Sequence, residues 1–448
     1  MCVAAVSADA QQNGKDADTT RGQPNAPPQM PVPAPPSPPH LFGDWGGVRS
    51  SLGDLGIDLQ LDNTTETAWN VSGGRRRGAD FAYQIGLQAD LDWEKLAEVS
   101  GFSTHTIFVN RGGRNTSADY IGDNVIQAQE IFGAGFGRAA KLVYFYGEEK
   151  LWNGRADLAA GRLAVGADFA ASPLYCNFMT LTICGHPRAL TSNQGFTDWP
   201  TASWGGRIRA RPTADTYIMA GVYDSEPFPA GGPSGWDWST RHSTGETVPA
   251  EVAWEPMFGA GRLPGHYKLG IAYDNSRFPD NFFDAAGGPF VTSGATARRD
   301  HGRTSLWITA DQMLMRNGPA ENDGLFLLAA YAHNSPDTSL FEHFVWAGLL
   351  DRGFWAARQQ DQFGFAITYY KVSPQLTATE ELQRDLGLAF SGGALGVQSD
   401  AFVLEANYAL PICRGVDVQP EVEYFIRPGA QKAVPNALVL GLKTHVLF

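Results

Sequence analysis

The sequence predicts an all-β protein, a transmembrane antiparallel β-barrel of about 16 strands. Segments of about ten residues alternate between apolar and polar side chains, the pattern of strands that cross a bilayer. Aromatic residues make up 12% of the chain and charged residues only 18%. No run of about 18 apolar residues offers a helical span, so a membrane form of this chain has to be built from strands.

The chain begins with residues that do not follow this pattern. Residues 1–10 end in small residues, which predicts the remnant of a signal peptide and export from the cell. Residues 11–40 are polar and then dense in proline, which predicts an unfolded leader. In residues 41–56, Val48, Leu52 and Leu55 have helical spacing before Gly56. We expect a short N-terminal helix there, acting as a plug or as a packing anchor at the barrel mouth, and a barrel over residues 57–448.

The clearest alternation lies near the C-terminus. Val418, Val422 and Tyr424 share one face of a segment whose other face carries acidic residues. The last segment repeats the pattern with Lys443 and the chain ends on Phe448. A soluble β-sandwich also alternates. Here, however, the polar face concentrates Arg, Asp, Glu, Gln and Asn, as a wet lumen would, and aromatic residues end the apolar stripes, where the membrane interfaces would lie.

The length of the chain sets the number of strands. From Leu41 to Phe448 there are 408 residues, so sixteen strands leave about 25 residues for each strand with its connection. Eight strands would leave about 51, and the loops would then be longer than the strands. A barrel of sixteen strands encloses an aqueous channel.

Composition and motifs exclude several classes of protein. A net charge of -13 argues against nucleic-acid binding, which needs an excess of Lys and Arg. The chain lacks a nucleophile elbow, a phosphate-binding loop, a zinc-protease helix and a dinucleotide fingerprint, so we expect no enzyme, no catalytic residue, no metal and no cofactor. Cys176 and Cys184 lie close together in a turn-rich segment. They predict a local disulfide in an oxidising compartment, with two buried reduced thiols as the alternative.

Four parts of the chain resemble a known family. They are the opening block Leu41-Phe42-Gly43-Asp44-Trp45-Gly46-Gly47-Val48-Arg49, the segment from Ala160-Gly161-Arg162-Leu163 through Ser172–Met179 to Cys184-Gly185, the run Val418–Tyr424, and Asn436–Gly441. Together they resemble the carbohydrate-selective porins of the OprB family. The resemblance implies a sixteen-stranded barrel whose pore is narrowed by an inward-folded loop and prefers sugars such as glucose. The proline-rich leader departs from the family pattern, which leaves its role open.

A sugar-selective constriction needs charged hydrogen-bonding groups of both signs that bind weakly enough to release the sugar. Guanidinium groups suit this task, because their planar fork of donors stays charged in a confined pore. The candidate residues are Arg111, Arg114, Arg162, Arg207 and Arg209, with Asp90, Asp92, Glu421 and Glu423 as acidic partners. For each of them the alternative is a lumen-wall residue paired with a neighbour and unimportant for selectivity.

These observations predict a passive channel for small, glucose-like sugars in the bacterial outer membrane. The expected partners are small sugars, outer-membrane lipid and lipopolysaccharide, and the barrel-assembly machinery, which would read the C-terminal strand ending in Phe448. The barrel is expected to be a monomer or a loose trimer. The alternatives are a general diffusion porin, a secreted soluble β-rich carbohydrate-binding protein, and an outer-membrane enzyme of the barrel-embedded lipase type.

Overall fold

The computed structural model describes residues 40–320 and 322–448, so the predicted signal remnant and nearly all of the predicted leader lie outside the described residues. Sixteen long strands lie within these ranges. They are β1 (Ile57–Ser72), β2 (Gly78–Asp92), β3 (Phe102–Gly113), β4 (Lys141–Leu151), β5 (Ala156–Leu163), β6 (Ser203–Thr213), β7 (Thr216–Ser225), β8 (Gly245–Trp254), β9 (Leu263–Asp284), β10 (Ala297–Arg316), β11 (Gly324–Asn334), β12 (Phe341–Arg352), β13 (Gln362–Val372), β14 (Asp400–Cys413), β15 (Val416–Ile426) and β16 (Ala437–Leu447). A further two-residue strand, Met257–Phe258, pairs with the start of β9.

The sixteen strands form one closed sheet. Each strand pairs antiparallel with its neighbours in sequence, and β16 returns to pair with β1 from Asp62↔Leu447 to Ser72↔Leu438. Closure leaves no sheet edge exposed, which is what a bilayer requires of strands. The predicted barrel of about 16 strands is confirmed, and a two-sheet soluble sandwich is excluded.

The side chains of the barrel reverse the arrangement of a soluble protein. On β15 Val422 and Tyr424 are exposed on the outside, whereas Glu421 and Glu423 are buried inside. The same division holds on β2, β9 and β16, where exposed Ile, Leu and Tyr alternate with buried Gln, Asp, Lys and His. Lipid covers such an apolar outer surface, and the polar side chains meet one another and water in the lumen.

The connections differ in length between the two ends of the barrel. The connections at one end are the loops 73–77, 114–140, 164–202, 226–244, 285–296, 335–340, 373–399 and 427–436. The other end carries the turns 93–101, 152–155, 214–215, 255–262, 317–323, 353–361 and 414–415, together with the C-terminus. In bacterial barrels the short turns face the periplasm and the long loops face outward.

The described residues also form six short α-helices, which lie in the connections and before β1. They are α1 (Val48–Asp54), α2 (Trp93–Ala97), α3 (Val165–Asp168), α4 (Arg188–Thr191), α5 (Phe290–Ser293) and α6 (Pro374–Asp385). Helix α1 is the predicted N-terminal helix and lies where β1 meets β16. The Arg49 guanidinium donates to the carbonyls of Leu59 and Phe448, each at 2.8 Å. None of the helices in the described ranges is long and apolar enough to span a membrane.

The loop 164–202 folds into the lumen, as the family resemblance implies. The Glu405 carboxylate accepts hydrogen bonds from the backbone N–H groups of Met179 and Thr180 at 2.7 and 3.1 Å. The rings of Tyr175 and Phe178 pack edge-on against Trp346 of β12, with centroid distances of 5.5 and 5.2 Å. The loop therefore fills the half of the lumen along β12–β15 and leaves space along the opposite wall.

The two cysteines of this loop are buried free thiols in the structure, not the predicted disulfide. Burial, together with the neighbouring Cys176 thiol, raises the pKa of Cys184 well above its ordinary value. The structure therefore has the alternative arrangement, two buried reduced thiols, in a loop that its contacts with the barrel wall already hold.

Candidate channel lining

A cavity of about 1110 Å³ lies between loop 164–202 and the wall that runs from β3 to β11. Arg111, Tyr144, Arg207, Lys268 and Asp311 project into it from that wall. The loop contributes residues from helix α3, helix α4 and the segment that returns to β6. This cavity, lined on one side by the sheet and on the other by the loop, is the candidate channel.

The middle of the channel is a cluster of alternating charges. The Arg207 guanidinium lies 2.8 Å from the Glu148 carboxylate and 3.1 Å from that of Asp168, and also bonds to Asp157. Arg209 donates to the other oxygen of Asp157 at 2.8 Å. These side chains come from β4, β5, β6 and the loop, and all point inward because alternate residues of a strand share a face. The cluster offers a dense set of donors and acceptors with its charges paired.

The upper part of the channel, toward the long loops, combines an arginine with aromatic rings. Arg111 Nε donates to Gln84 Oε1 at 2.6 Å, and the Trp199 indole N–H donates to the same oxygen at 2.7 Å. The Tyr144 ring meets Trp199 edge-on at a centroid distance of 5.7 Å. Gln84 thus ties the wall to the loop and fixes an aromatic surface beside a guanidinium.

In the lower part of the channel, the loop contacts β9 and β10. The Lys268 ammonium donates to the Ala171 carbonyl at 2.6 Å, and the Ser172 hydroxyl donates to Asp311 at 3.0 Å. His266 Nδ1 lies 2.5 Å from the same Asp311 carboxylate. The loop is therefore fixed on this wall as well as on the opposite one.

An ion pair within the loop, between His186 and Asp198, lines the channel. His186 Nε2 lies 2.8 Å from Asp198 Oδ1. Burial lowers the pKa of His186, but the charge of Asp198 and the hydrogen bonds raise it by more, so the pKa stands above its ordinary value of 6.5. Below that ordinary value the imidazolium is present and the pair is complete. As the pH rises through the raised pKa, the proton and the attraction are lost.

We therefore expect loop 164–202 to be less firmly held at alkaline pH, and the open-channel current noise to increase as the pH rises above 6.5. His186→Gln should remove this pH dependence. His242→Gln is the matched control, because His242 is exposed on loop 226–244 and pairs with Asp237 at 3.7 Å. Current recordings across the pH range test this. A pH dependence that persists in His186→Gln would assign it to another group.

The structure brings three of the predicted site residues into the channel lining, namely Arg111, Arg207 and Arg209. Arg162 lies behind the lining and donates to the Ala202 carbonyl. Arg114 is exposed on the rim, where it pairs with Asp119 at 2.7 Å, because β3 ends at Gly113 and Arg114 already belongs to the following loop.

The four predicted acidic partners lie away from the channel cavity. Asp90 pairs with His105 at 2.7 Å, and the Asp92 carboxylate accepts from backbone N–H groups at the start of helix α2. Glu421 and Glu423 face the lumen on β15, on the side that the loop fills. The acidic groups that line the channel are instead Glu130, Glu148, Asp168, Asp198, Glu226, Glu255 and Asp311, from β4, β10 and the connections.

Several lining residues were not predicted: Tyr144, Glu148, His186, Arg188, Asp198 and Trp199. Four of them belong to the inward loop, whose sequence carries no strand period that would assign a side chain to the lumen. The expectation of an inward-folded loop could have identified them, because every polar residue of such a loop is a candidate for the channel lining.

A closed sixteen-stranded barrel with an apolar outer surface, a polar lumen and an inward loop defines a porin of the bacterial outer membrane. The chain belongs to the carbohydrate-selective porin, OprB family, whose sequence profile matches residues 76–448. It is 27% identical to Porin B of Pseudomonas aeruginosa over 417 residues, which cover 91% of each chain. It is 25% identical over 429 residues to the putative porin QuiX of Acinetobacter baylyi, covering 91% of this chain and 93% of that one.

A solved structure of OprB from Pseudomonas putida, determined at high pH, superposes with a TM-score of 0.85 at 28% sequence identity. The match covers 92% of this chain and 99% of that one. The family and these relatives place the protein in the outer membrane as a carbohydrate-selective channel.

Proposed function

We propose that the channel passes small, glucose-like sugars by passive diffusion, and that Arg207, Arg209 and Arg111 form its sugar-contacting surface together with the aromatic pair Tyr144 and Trp199. The observation that carries this proposal is the cluster around Arg207, whose three carboxylate partners come from two strands and the loop. Sugar hydroxyls both donate and accept, so a wall with paired charges of both signs can replace their water contacts.

The aromatic pair complements this polar wall. A sugar ring also has apolar C–H faces, and the rings of Tyr144 and Trp199 lie beside Arg111 in the same part of the channel. The contacts are spread along the lining of the cavity, which keeps each one weak. Conduction needs this, because a solute held tightly leaves slowly.

The proposal is tested by single-channel conductance of the detergent-purified protein in a planar bilayer, with and without millimolar glucose. We expect small, stable steps that glucose reduces. Conductance steps that glucose does not reduce would indicate a general diffusion porin without sugar preference. A protein that forms no channels would contradict the transport function itself.

Replacing Arg207 and Arg209 together by alanine should raise the ion conductance and weaken glucose block about tenfold. The rough magnitude follows from the loss of hydrogen bonds to charged groups, each worth about 1.5–3 kcal/mol. Arg114→Ala is the control, because Arg114 is exposed on the rim and outside the channel. Bilayer recordings of the three proteins, each first shown to be heat-modifiable, provide the measurement. Unchanged conductance and unchanged block would remove both arginines from the sugar path.

We further propose that the partners of the barrel outside the channel are outer-membrane lipid and lipopolysaccharide, and that the assembly machinery reads its C-terminal strand. Strand β16 supports this, because Leu440 and Leu442 face outward and the strand leads directly into the terminal Phe448. The barrel closes within a single chain, which suits a monomer or a loose trimer.

A further inference from the structure

Three cations at the upper part of the channel, two in its lining and Lys141 at the start of the neighbouring strand β4, have only neutral hydrogen-bond partners. Arg111 Nε donates to the Gln84 side-chain carbonyl at 2.6 Å. Lys141 Nζ lies 3.5 Å from the Thr201 hydroxyl, and Arg188 Nη1 lies 3.4 Å from the Thr191 hydroxyl. Among the described residues, no carboxylate oxygen comes within the 4.0 Å of an ion pair to any of the three. We call Arg111, Lys141 and Arg188 the cationic patch.

The burial of this patch makes the missing counter-charge costly. Lys141 is only 3% exposed and Arg111 only 6%. The charges that act on Lys141 are those of Arg111 and Arg162, and both are positive. Arg188 Nε is buried without a hydrogen-bond partner in the described structure. Burying a charge without an adjacent counter-ion is unfavourable, so an anion that enters here would be stabilised.

The excess of positive charge is confined to this patch, because the protein as a whole is acidic. The chain carries a net charge of -13, and in the middle of the same channel Arg207 and Arg209 are matched by carboxylates. The charges of three carboxylates, Asp198, Glu130 and Glu66, act on Arg111, and each of them has a nearer cationic partner. Glu66 lies 3.5 Å from Lys443. Asp198 pairs with His186 at 2.8 Å, and Glu130 lies 3.4 Å from Lys443.

The side chains around the patch indicate which anion would fit. The guanidinium groups of Arg111 and Arg188 both line the cavity, and their planar donors match a carboxylate. The oxygens of Asp198 and Glu130 can accept hydrogen bonds from hydroxyl groups, while their negative charge disfavours a doubly charged phosphate. Trp199, next to Asp198, supplies an aromatic face.

We propose that the cationic patch is a subsite for the carboxylate of a sugar acid, an aldonic or uronic acid, and that the channel prefers such an acid over a neutral sugar of the same size. This rests on the proposed function, since it names a substrate class for the same channel. The carboxylate binds Arg111 and Arg188, and the hydroxyl-bearing carbons continue toward the cluster around Arg207.

The test compares block of single-channel current by gluconate, glucose and glucose 6-phosphate, and measures the reversal potential in a KCl gradient. The wild type should show anion preference, and gluconate should block at about tenfold lower concentration than glucose, the effect of roughly one charge-assisted hydrogen bond. Arg188→Gln, and separately Arg111→Gln, should bring the ratio of gluconate to glucose block toward one and reduce the anion preference. Arg114→Gln, on the exposed rim, should leave the ratio at its wild-type value.

The outcomes separate this inference from the proposed function. Block by glucose with no preference for gluconate would overturn the subsite and leave the sugar channel standing, whereas the absence of block by either would contradict the proposed function. A gluconate preference that survives both arginine variants would place the recognition elsewhere. Stronger block by glucose 6-phosphate than by gluconate would overturn the assignment to a carboxylate.

Discussion

Replacing Glu405 by alanine is expected to widen the channel, with larger single-channel steps and loss of glucose block. The Glu405 carboxylate is buried on β14 and accepts three hydrogen bonds from the tip of the inward loop. Two come from the backbone N–H groups of Met179 and Thr180, and the third comes from the Thr180 hydroxyl. Hydrogen bonds to a charged acceptor contribute about 1.5–3 kcal/mol each, and the freed N–H groups would be left unsatisfied. The loop would therefore lose its main polar attachment to this wall.

Glu423→Gln is the matched control for this experiment. Glu423 is also buried in the lumen, on the adjacent strand β15 and directly opposite Glu405 in the ladder, but its carboxylate accepts no hydrogen bond from the described residues of the inward loop. Its loss should leave the conductance steps at their wild-type size. If Glu405→Ala also keeps wild-type steps, then the packing of Tyr175 and Phe178 on Trp346 and the hydrogen bonds that the wall donates to Asn177 are sufficient to hold the loop in place.

The barrel could be predicted from the sequence because its two determinants are local. A strand that crosses a bilayer has a fixed length and a fixed alternation, and both can be read within ten residues. The acidic face of β15 and the Lys443 face of β16 were therefore assigned to the lumen correctly. Arg207 and Arg209, two positions apart on one strand, point into the same channel for the same reason.

The channel could be predicted only in part, because its position depends on where the loop lies. Alternation separates inside from outside but does not distinguish one side of the lumen from the other. Glu421 and Glu423 face inward as predicted, yet the loop fills their side of the barrel, while Arg207 borders the side that stays open. Arg114 and Asp92 lie outside the cavity for a different reason, since Asp92 is the last residue of β2 and Arg114 follows the last residue of β3, where the alternation stops.

The contacts of loop 164–202 could not be predicted from local sequence periodicity. Its contacts join residues far apart in the chain, as when Asn407 and Gln419 both donate to the Asn177 carbonyl. The alternation of apolar and polar residues in the sequence does not predict such a contact. The cysteines of this loop illustrate the same limit, since their spacing predicted a bond, whereas the structure has both as buried free thiols.

Lys443 is the residue whose loss should destabilise the folded barrel most. Its ammonium is buried and lies 3.5 Å from the Glu66 carboxylate on β1 and 3.4 Å from that of Glu130 on loop 114–140. Lys443→Met would leave both carboxylates buried without their cation, which costs about 3–5 kcal/mol. The pair also bridges the strands that close the barrel, because Lys443 lies on β16 and is directly opposite Glu66 in the ladder. We expect the heat-modifiable form to convert to the unfolded form at a lower temperature.

A triple variant distinguishes loss of charge balance from loss of packing at this site. Adding Glu66→Gln and Glu130→Gln to Lys443→Met removes the unpaired charges and keeps side chains of similar size, so most of the stability should return. The midpoint temperature of gel-shift conversion in detergent measures both proteins. If the triple variant is no more stable than Lys443→Met, then the ammonium acts through its contacts and not through its charge. If Lys443→Met alone converts at the wild-type temperature, water in the lumen already screens the two carboxylates, and closure of the barrel depends on the ladder between β1 and β16 alone.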